Sequence, residues 1–310
     1  MLTFFDVGGN INTTRNCIQI LKTYTKHKNV FYVGMRKIIR KRKVRIMKLG
    51  FIGTGNMASA IMGGVIKNQI VAPEEIIGAD LFAPGRERVQ KQFGINVTAS
   101  NKEVVEQAEV IILSVKPQFY ANVISEIKDD IKDEQIIITI APGKTLSWLS
   151  EQFGKAVKIV RTMPNTPAMV GEGMTAACPN EHMTEEGIAR VKTILESFSR
   201  VEIVPEKLMD VVTAVSGSSP AYVYMFIEAM ADAAVSGGMP RPQAYQFAAQ
   251  AVLGSAKMVL DTGKHPGELK DMVCSPAGTT IEAVRTLEER GFRSAVIEAM
   301  KVCEEVSKSM

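Results

Sequence analysis

From residue 47 to about 205, short β-branched runs alternate with stretches of helical periodicity. The runs 48–53, 75–80, 110–115, 136–140, 158–162 and 174–178 read as strands. Between them 57–68, 102–107, 120–129 and 146–153 read as helices. Residues 185–198 read as another, with Thr184 placed to cap it. Strands built of continuous apolar residues, each followed by a helix, predict an α/β fold with a mainly parallel sheet covered on both faces.

After about residue 207 the pattern changes. Strand-like runs stop, and Ala, Met, Glu and Val fill long helical stretches at 208–215, 220–236, 242–261, 279–290 and 293–307. The segments 237–240 and 262–267, rich in Gly and Pro, punctuate them. The stretch 221–235 is apolar on nearly all sides, and such a helix has to be buried all round. A helical domain of about 100 residues has difficulty surrounding it alone. A second copy of the chain is therefore expected to complete the burial, the alternative being a single compact helical domain packed on the α/β domain. The division is a segment 1–46, an α/β domain 47–207 and an all-α domain 208–310.

Charge singles out the first of these. Residues 1–46 carry eleven Lys/Arg and one acid, whereas the rest of the chain carries 26 and 32. A basic arm for nucleic acid, a transit signal, or an extension upstream of a working start at Met47 would all look like this. The body is mildly acidic and shows no nucleic-acid footprint. Cys17, Cys178, Cys274 and Cys303 are scattered with no CxxC pair, as expected of free thiols in a reducing, cytoplasmic setting. Three histidines make a His-rich metal site a poor expectation, so no metal is expected. The richest apolar run, 220–238, is interrupted by Glu228 and Asp232, so no membrane partner is expected.

The chemistry-bearing motifs lie at the ends of strands. Gly53-Thr54-Gly55-Asn56-Met57-Ala58 follows the first strand and opens the first helix, a GxGxxA turn in a strand–turn–helix setting. Gly53 permits the tight turn, Gly55 lets a pyrophosphate approach the backbone, and Ala58 allows close packing. Asp80 ends the second strand, where an acid commonly bonds a ribose 2′-hydroxyl or, alternatively, caps a helix or turn. Arg86 and Arg88 follow and could hold a 2′-phosphate, which tips the expectation slightly towards NADP(H) over NAD(H). Ser114-Val115-Lys116-Pro117 and Ala141-Pro142-Gly143 close later strands at the edge where ligands bind. Lys116 reads equally as a catalytic cation or a solvated lysine. Asn165-Thr166, between Pro164 and Pro167, reads as a rigid polar turn facing either the nicotinamide or the sheet end. Ser218 or Ser219, before Pro220, reads as a helix cap. Near the C-terminus, Cys274-Ser275-Pro276-Ala277-Gly278-Thr279-Thr280-Ile281 opens a helix whose free N–H groups and hydroxyls suit a carboxylate.

Gly-Phe-Ile-Gly-x-Gly-Asn-Met at 50–57, Val-Lys-Pro at 115–117, Met-Pro-Asn-Thr-Pro at 163–167, Ser-Gly-Ser-Ser-Pro-Ala-Tyr at 216–222 and the run 265–281 occur in order. In this the chain resembles pyrroline-5-carboxylate reductases from Met47 to about residue 305. The resemblance implies an N-terminal Rossmann domain, a C-terminal helical dimerisation domain, and reduction of 1-pyrroline-5-carboxylate to L-proline by NAD(P)H. It implies self-association as a dimer, with pentamers of dimers common among relatives. It implies that Ile52, Gly53, Thr54, Gly55, Asn56, Met57, Asp80, Asn101, Ser114, Val115, Lys116, Pro117 and Ala141 line the cofactor. It also implies that Ser275, Ala277, Gly278, Thr279 and Thr280 hold the substrate, with Thr280 the active-site threonine. The chain departs from the pattern at Pro142 and Ala277, where related sequences commonly have Ala and Gly. Two other readings are a hydroxyacid dehydrogenase built on Lys270-Asp271 and a non-catalytic nucleotide-binding regulator.

Overall fold

Leu49–Ile52 form strand β1, buried at every position. It lies between β2 (Ile76–Ala79) and β4 (Val110–Leu113), which are buried throughout as well. This is a computed structural model, and it describes residues 48–309. The expectations for residues 1–46 fall outside the described residues. With β3 (Asn96–Thr98), β5 (Ile136–Thr139), β6 (Lys158–Met163), β7 (Gly173–Pro179) and β8 (Ser199–Ile203), the strands make one eight-stranded sheet in the order β3-β2-β1-β4-β5-β6-β7-β8. The first six follow the doubly wound dinucleotide-binding order, with the reversal beside β1.

Every neighbouring pair is parallel except β6 and β7, which run antiparallel. Parallel return needs a long crossover, usually a helix. Here the link is only a 3-10 turn, Thr166–Val170, so β7 folds straight back. Strands β3 and β8 escape the sequence pattern for a related reason. β3 has three residues, none buried, and β8 carries Arg200 and Glu202 on the sheet's edge. Neither has the continuous apolar run of a central strand.

Helices α1 (Asn56–Lys67), α2 (Ala83–Phe93), α3 (Asn101–Gln107), α4 (Tyr120–Ile127), α5 (Leu146–Phe153) and α6 (Glu185–Leu195) flank the sheet. α2 was not visible in the sequence pattern because Val89 is its one buried residue. The Thr184 cap forms as expected, its hydroxyl accepting from the Gly187 N–H. On one face Ile111, Leu113, Ile137 and Ile159 of the strands pack on Val104, Val105, Ile124, Leu149 and Phe153 of α3, α4 and α5.

The rest is helical: α7 (Met209–Val212), α8 (Ser219–Ser236), α9 (Arg241–Thr262), α10 (Pro266–Val273), α11 (Thr279–Glu289) and α12 (Phe292–Lys308). α7 does not simply run on to residue 215. A π-turn at Thr213–Gly217 joins it to α8, closed by the Ser218 N–H donating to the Thr213 carbonyl at 2.8 Å. Because the helix enters already wound, neither serine caps α8. Ser219 Oγ bonds back to the Val215 carbonyl, and Ser218 Oγ accepts from the Cys303 thiol. α8 packs on α9, where Ala244 and Ala248 are buried, but Val223, Tyr224, Met225 and Phe226 stay exposed. One chain therefore leaves unmet the all-round burial that α8 demands.

Two polar joints tie the helical part to the sheet. Asn165 Nδ2 donates to the Ser216 carbonyl while its Oδ1 accepts the Met174 N–H. This side chain caps the sheet end and joins it to the π-turn. Arg161, 3% exposed, pairs with Glu206 at 2.8 Å, and the same carboxylate oxygen accepts the Leu146 N–H. Removing the carboxylate strands a buried guanidinium, and breaking such a pair is strongly destabilising. Glu206→Ala should lower the unfolding free energy by about 2–4 kcal/mol, read from urea denaturation. A loss below about 0.5 kcal/mol, the level of an exposed pair, would show that the joint contributes little.

Candidate active site

The GxGxxA turn sits where β1 ends against the end of β4. The Gly53 N–H donates to the Ala79 carbonyl of β2, and the Ser114 N–H donates to Ile52. Ser114 Oγ reaches the Gly53 carbonyl at 2.7 Å and that of Ile52 at 3.1 Å. Gly53 has φ +99°, and a Cβ on it would lie 2.7 Å from the Ser114 carbonyl oxygen. Glycine is thus required twice over, by conformation and by approach. Gly55 differs. Its φ of −69° suits any residue, and a Cβ there would meet nothing within 4 Å. The fold itself does not ask for glycine at 55. The space in front of it is a cradle that a side chain would fill, beside an α1 N-terminus with no side-chain cap. That arrangement fits a pyrophosphate held by backbone N–H groups and the helix dipole.

Thr54 is 1% exposed and turned inwards. Its N–H and its hydroxyl both donate to Asp80 Oδ2, at 2.8 and 2.9 Å, and Asp80 Oδ1 accepts the Phe82 N–H. Arg88 crosses from α2 to donate to the Thr54 carbonyl at 2.6 Å and to Ser59 Oγ at 3.0 Å. Arg86 donates to the Asp80 carbonyl.

The remaining expected cofactor residues share this carboxyl edge. Ile52 and Ala141 are buried, Asn56 is exposed and Met57 half-buried. Val115 packs against the core, and Lys116 is exposed just before Pro117. Asn101 opens α3 at the end of β3, and its amide donates to Glu126 of α4. One residue here went unnoticed in the sequence. Tyr120 is fully buried, its hydroxyl donating to the Leu113 carbonyl and accepting the Ile140 N–H at 3.4 Å. Burial pushes its phenol well above the ordinary tyrosine range. It stays neutral and pins the ends of β4 and β5 together. A Tyr after a Pro-initiated turn gives no pattern by which to find it.

The second group of expected residues lies between α10 and α11. Ser275-Pro276-Ala277-Gly278 form a four-residue turn, with the Gly278 N–H donating to the Ser275 carbonyl at 3.1 Å. Pro in second position and positive φ in third mark it as type II. The third residue is Ala277, at φ +54°, where glycine is normally needed. At Gly278 a Cβ would fall 2.3 Å from Ser275 Oγ, so a side chain there would have to displace that hydroxyl. α11 then starts with no side-chain cap, Thr279 exposed and Thr280 half-buried. The N–H groups of its first turn are open to an acceptor. That of Gly278 is not, because the turn uses it.

The structure thus brings the residues expected at the cofactor to one edge and those expected at the substrate to one helix start. Among the described residues, no hydrogen bond joins the two groups. An open pyrophosphate cradle at the β1 end of a 3-2-1-4-5-6 sheet defines the class as a dinucleotide-binding oxidoreductase with a helical C-terminal domain. Comparisons place it more narrowly. The family described as pyrroline-5-carboxylate reductase dimerisation matches residues 206–310, and that described as NADP oxidoreductase coenzyme F420-dependent matches 48–143. The pyrroline-5-carboxylate reductase of Escherichia coli is 54% identical over 266 residues, covering 85% of this chain and 98% of that protein. The Arabidopsis thaliana enzyme of the same name is 42% identical, covering 84% and 96%. A Coxiella burnetii pyrroline-5-carboxylate reductase structure superposes with TM-score 0.79 at 32% identity, covering 86% and 98%. A Plasmodium falciparum pyrroline carboxylate reductase with NADP bound gives 0.78 at 33%, covering 85% and 97%. The chain belongs to the pyrroline-5-carboxylate reductase family, oxidoreductases acting on a carbon–nitrogen double bond.

Ala277 gives a direct check on the turn. A left-handed alanine costs roughly 1–2 kcal/mol, and glycine's freer unfolded state offsets about 0.5–1 kcal/mol of the relief. Ala277→Gly should therefore stabilise the chain by about 0–1.5 kcal/mol. Ala277→Val, β-branched at positive φ, should cost about 1–3 kcal/mol in urea unfolding. Equal stability of the two variants would mean that residue 277 does not hold the left-handed conformation.

Proposed function

We propose that the reaction is hydride reduction of the ring C=N of 1-pyrroline-5-carboxylate to L-proline, between the Gly53–Ser114 edge and the Ser275–Thr280 loop. The observation that carries the substrate half is the uncapped start of α11 directly after the turn. Its first-turn N–H groups and the helix dipole suit the substrate carboxylate. Ser275 and Thr279 border that position, and Ala277 and Gly278 shape it. The Thr280 hydroxyl hydrogen-bonds the ring nitrogen and positions its proton. A threonine is a poor acid, so the proton itself comes from water or an already protonated iminium.

On the other half, a bound reduced nicotinamide supplies the hydride. The N–H groups at the start of α1 and the gap at Gly55 hold its pyrophosphate. Ile52 to Met57, Asp80, Asn101, Ser114 to Pro117 and Ala141 border the rest. The protein's contribution is to hold two reactants at fixed distance and angle. NADP(H) is favoured slightly over NAD(H). The NADP oxidoreductase family over 48–143, the NADP-bound Plasmodium relative and Arg86 beside Asp80 support this.

The two halves are completed between copies of the chain. The dimerisation family over 206–310 and the uncovered apolar side of α8 support a dimer, and a pentamer of dimers is compatible with it. A cytoplasmic setting accords with the free thiols Cys178, Cys274 and Cys303. No helix of the described residues is long and apolar enough to cross a membrane. Among the described residues no cluster suits a metal ion. Lys270, the residue a hydroxyacid dehydrogenase would need, is engaged by Asp271 at 2.8 Å, which holds it above the ordinary lysine range.

Following NADPH absorbance with 1-pyrroline-5-carboxylate tests the reading. Thr280→Ala should lower kcat by about 10- to 1000-fold, the scale of one positioned polar group, with dinucleotide affinity unchanged. Near-normal kinetics in that variant would remove Thr280 from the site.

A further inference from the structure

The carboxyl edge holds one acid and two arginines where the adenosine ribose of a dinucleotide arrives, and the sequence alone leaves their roles in conflict. Their contacts separate them. A carboxylate offers about four lone-pair directions. Asp80 has three donors on it already: the Thr54 N–H, the Thr54 hydroxyl and the Phe82 N–H. All three come from the chain, and two come from a residue 1% exposed inside the glycine turn. Arg88 grips the same residue from the other side, through the Thr54 carbonyl and Ser59 Oγ. Thr54 is thus held at its N–H, its hydroxyl and its carbonyl by two charged side chains. Hydrogen bonds to charged groups are among the stronger ones, so this bracket fixes the peptides on both sides of Thr54, next to the Gly55 cradle.

Arg86 is placed differently. It makes one hydrogen bond, to the main-chain carbonyl of Asp80 at the end of β2. A guanidinium has five N–H donors in a rigid fork, so four remain. It is half-buried, held through one terminal nitrogen of the fork, and sits beside the ribose end of the crevice.

We propose a division of labour. Asp80 and Arg88 are positioning residues for the glycine turn and do not tell the two coenzymes apart, whereas Arg86 carries the discrimination in favour of the 2′-phosphate. The first half stands on the hydrogen bonds alone. The second rests on the NADP(H) reading given above. This reverses the usual meaning of an acid at the end of the second strand. Its charge is turned inwards to shape the turn, and it is not the hydroxyl acceptor that selects NAD.

The test is a set of dissociation constants for NADPH and NADH, measured by isothermal titration calorimetry on the full chain without substrate. Asp80→Ala and Arg88→Ala should each weaken both coenzymes by a similar factor, about 10- to 100-fold for loss of charge-assisted hydrogen bonds. The NADH/NADPH ratio should move by less than about threefold. If Asp80→Ala does not fold, Thr54→Val removes the hydroxyl alone and should give a smaller loss, again equal for both. Arg86→Ala should weaken NADPH by about tenfold or more and leave NADH nearly unchanged. Selective loss of NADH in Asp80→Ala, or selective loss of NADPH in Arg88→Ala, would overturn the turn-positioning role. An unchanged ratio in Arg86→Ala, in a parent protein that favours NADPH, would overturn the second half. A parent that favours NADH would instead refute the NADP(H) reading, with the Asp80 and Arg88 results still deciding the first half.

Discussion

The close approach of Gly53 to the end of β4 is the constraint on which the rest of the edge depends. A Cβ at that position would overlap the Ser114 carbonyl, so only glycine lets β1 turn there while Ser114 Oγ reaches back to the Gly53 carbonyl. Once that turn is made, Thr54 points inwards, Gly55 faces open space and α1 starts with its N–H groups exposed. The dinucleotide site is therefore a by-product of one steric exclusion, placed where the doubly wound order reverses. Asp80 and Arg88 then hold the turn from two sides.

The proposed substrate half depends on an analogous device in a different part of the chain. A type II turn before α11 directs the helix start outwards, and its geometry is secured by Pro276 and by the absence of a side chain on Gly278. The left-handed Ala277 is the one place where this chain holds that geometry against local preference. Both halves present uncapped helix starts, one suited to a pyrophosphate and the other to a carboxylate. A long apolar helix, α8, with much of its surface bare in one chain, supplies the reason for two chains to come together.

Most of this was legible in the sequence wherever the physics is local. The buried β-branched strands, the Gly53–Ala58 turn, the Thr184 cap and the helix opening at Thr279 are each fixed by residues a few positions apart. What escaped was non-local or lacked a pattern. β3 and β8 are edge strands without apolar runs, α2 buries a single residue, and β7 reverses because its connection is too short for a crossover. Ser218 looked like a cap because sequence cannot show that a π-turn feeds α8 from behind. Asp80 sat at the expected position, but its partner Thr54 is 26 residues away. Only the fold shows the acid bonded to the glycine turn.

The central claim is that the Gly53–Ser114 edge of one chain works with the Ser275–Thr280 loop of another. The direct measurement is turnover of a mixed dimer, co-expressed from differently tagged chains and purified through both tags. One chain carries Gly55→Val, which fills the cradle without backbone strain, and the other carries Thr280→Ala. Shared sites leave one intact site in each mixed dimer, so activity should return to near half that of the unsubstituted protein, well above either variant alone. Mixed dimers no more active than the mean of the two parent variants would contradict the account.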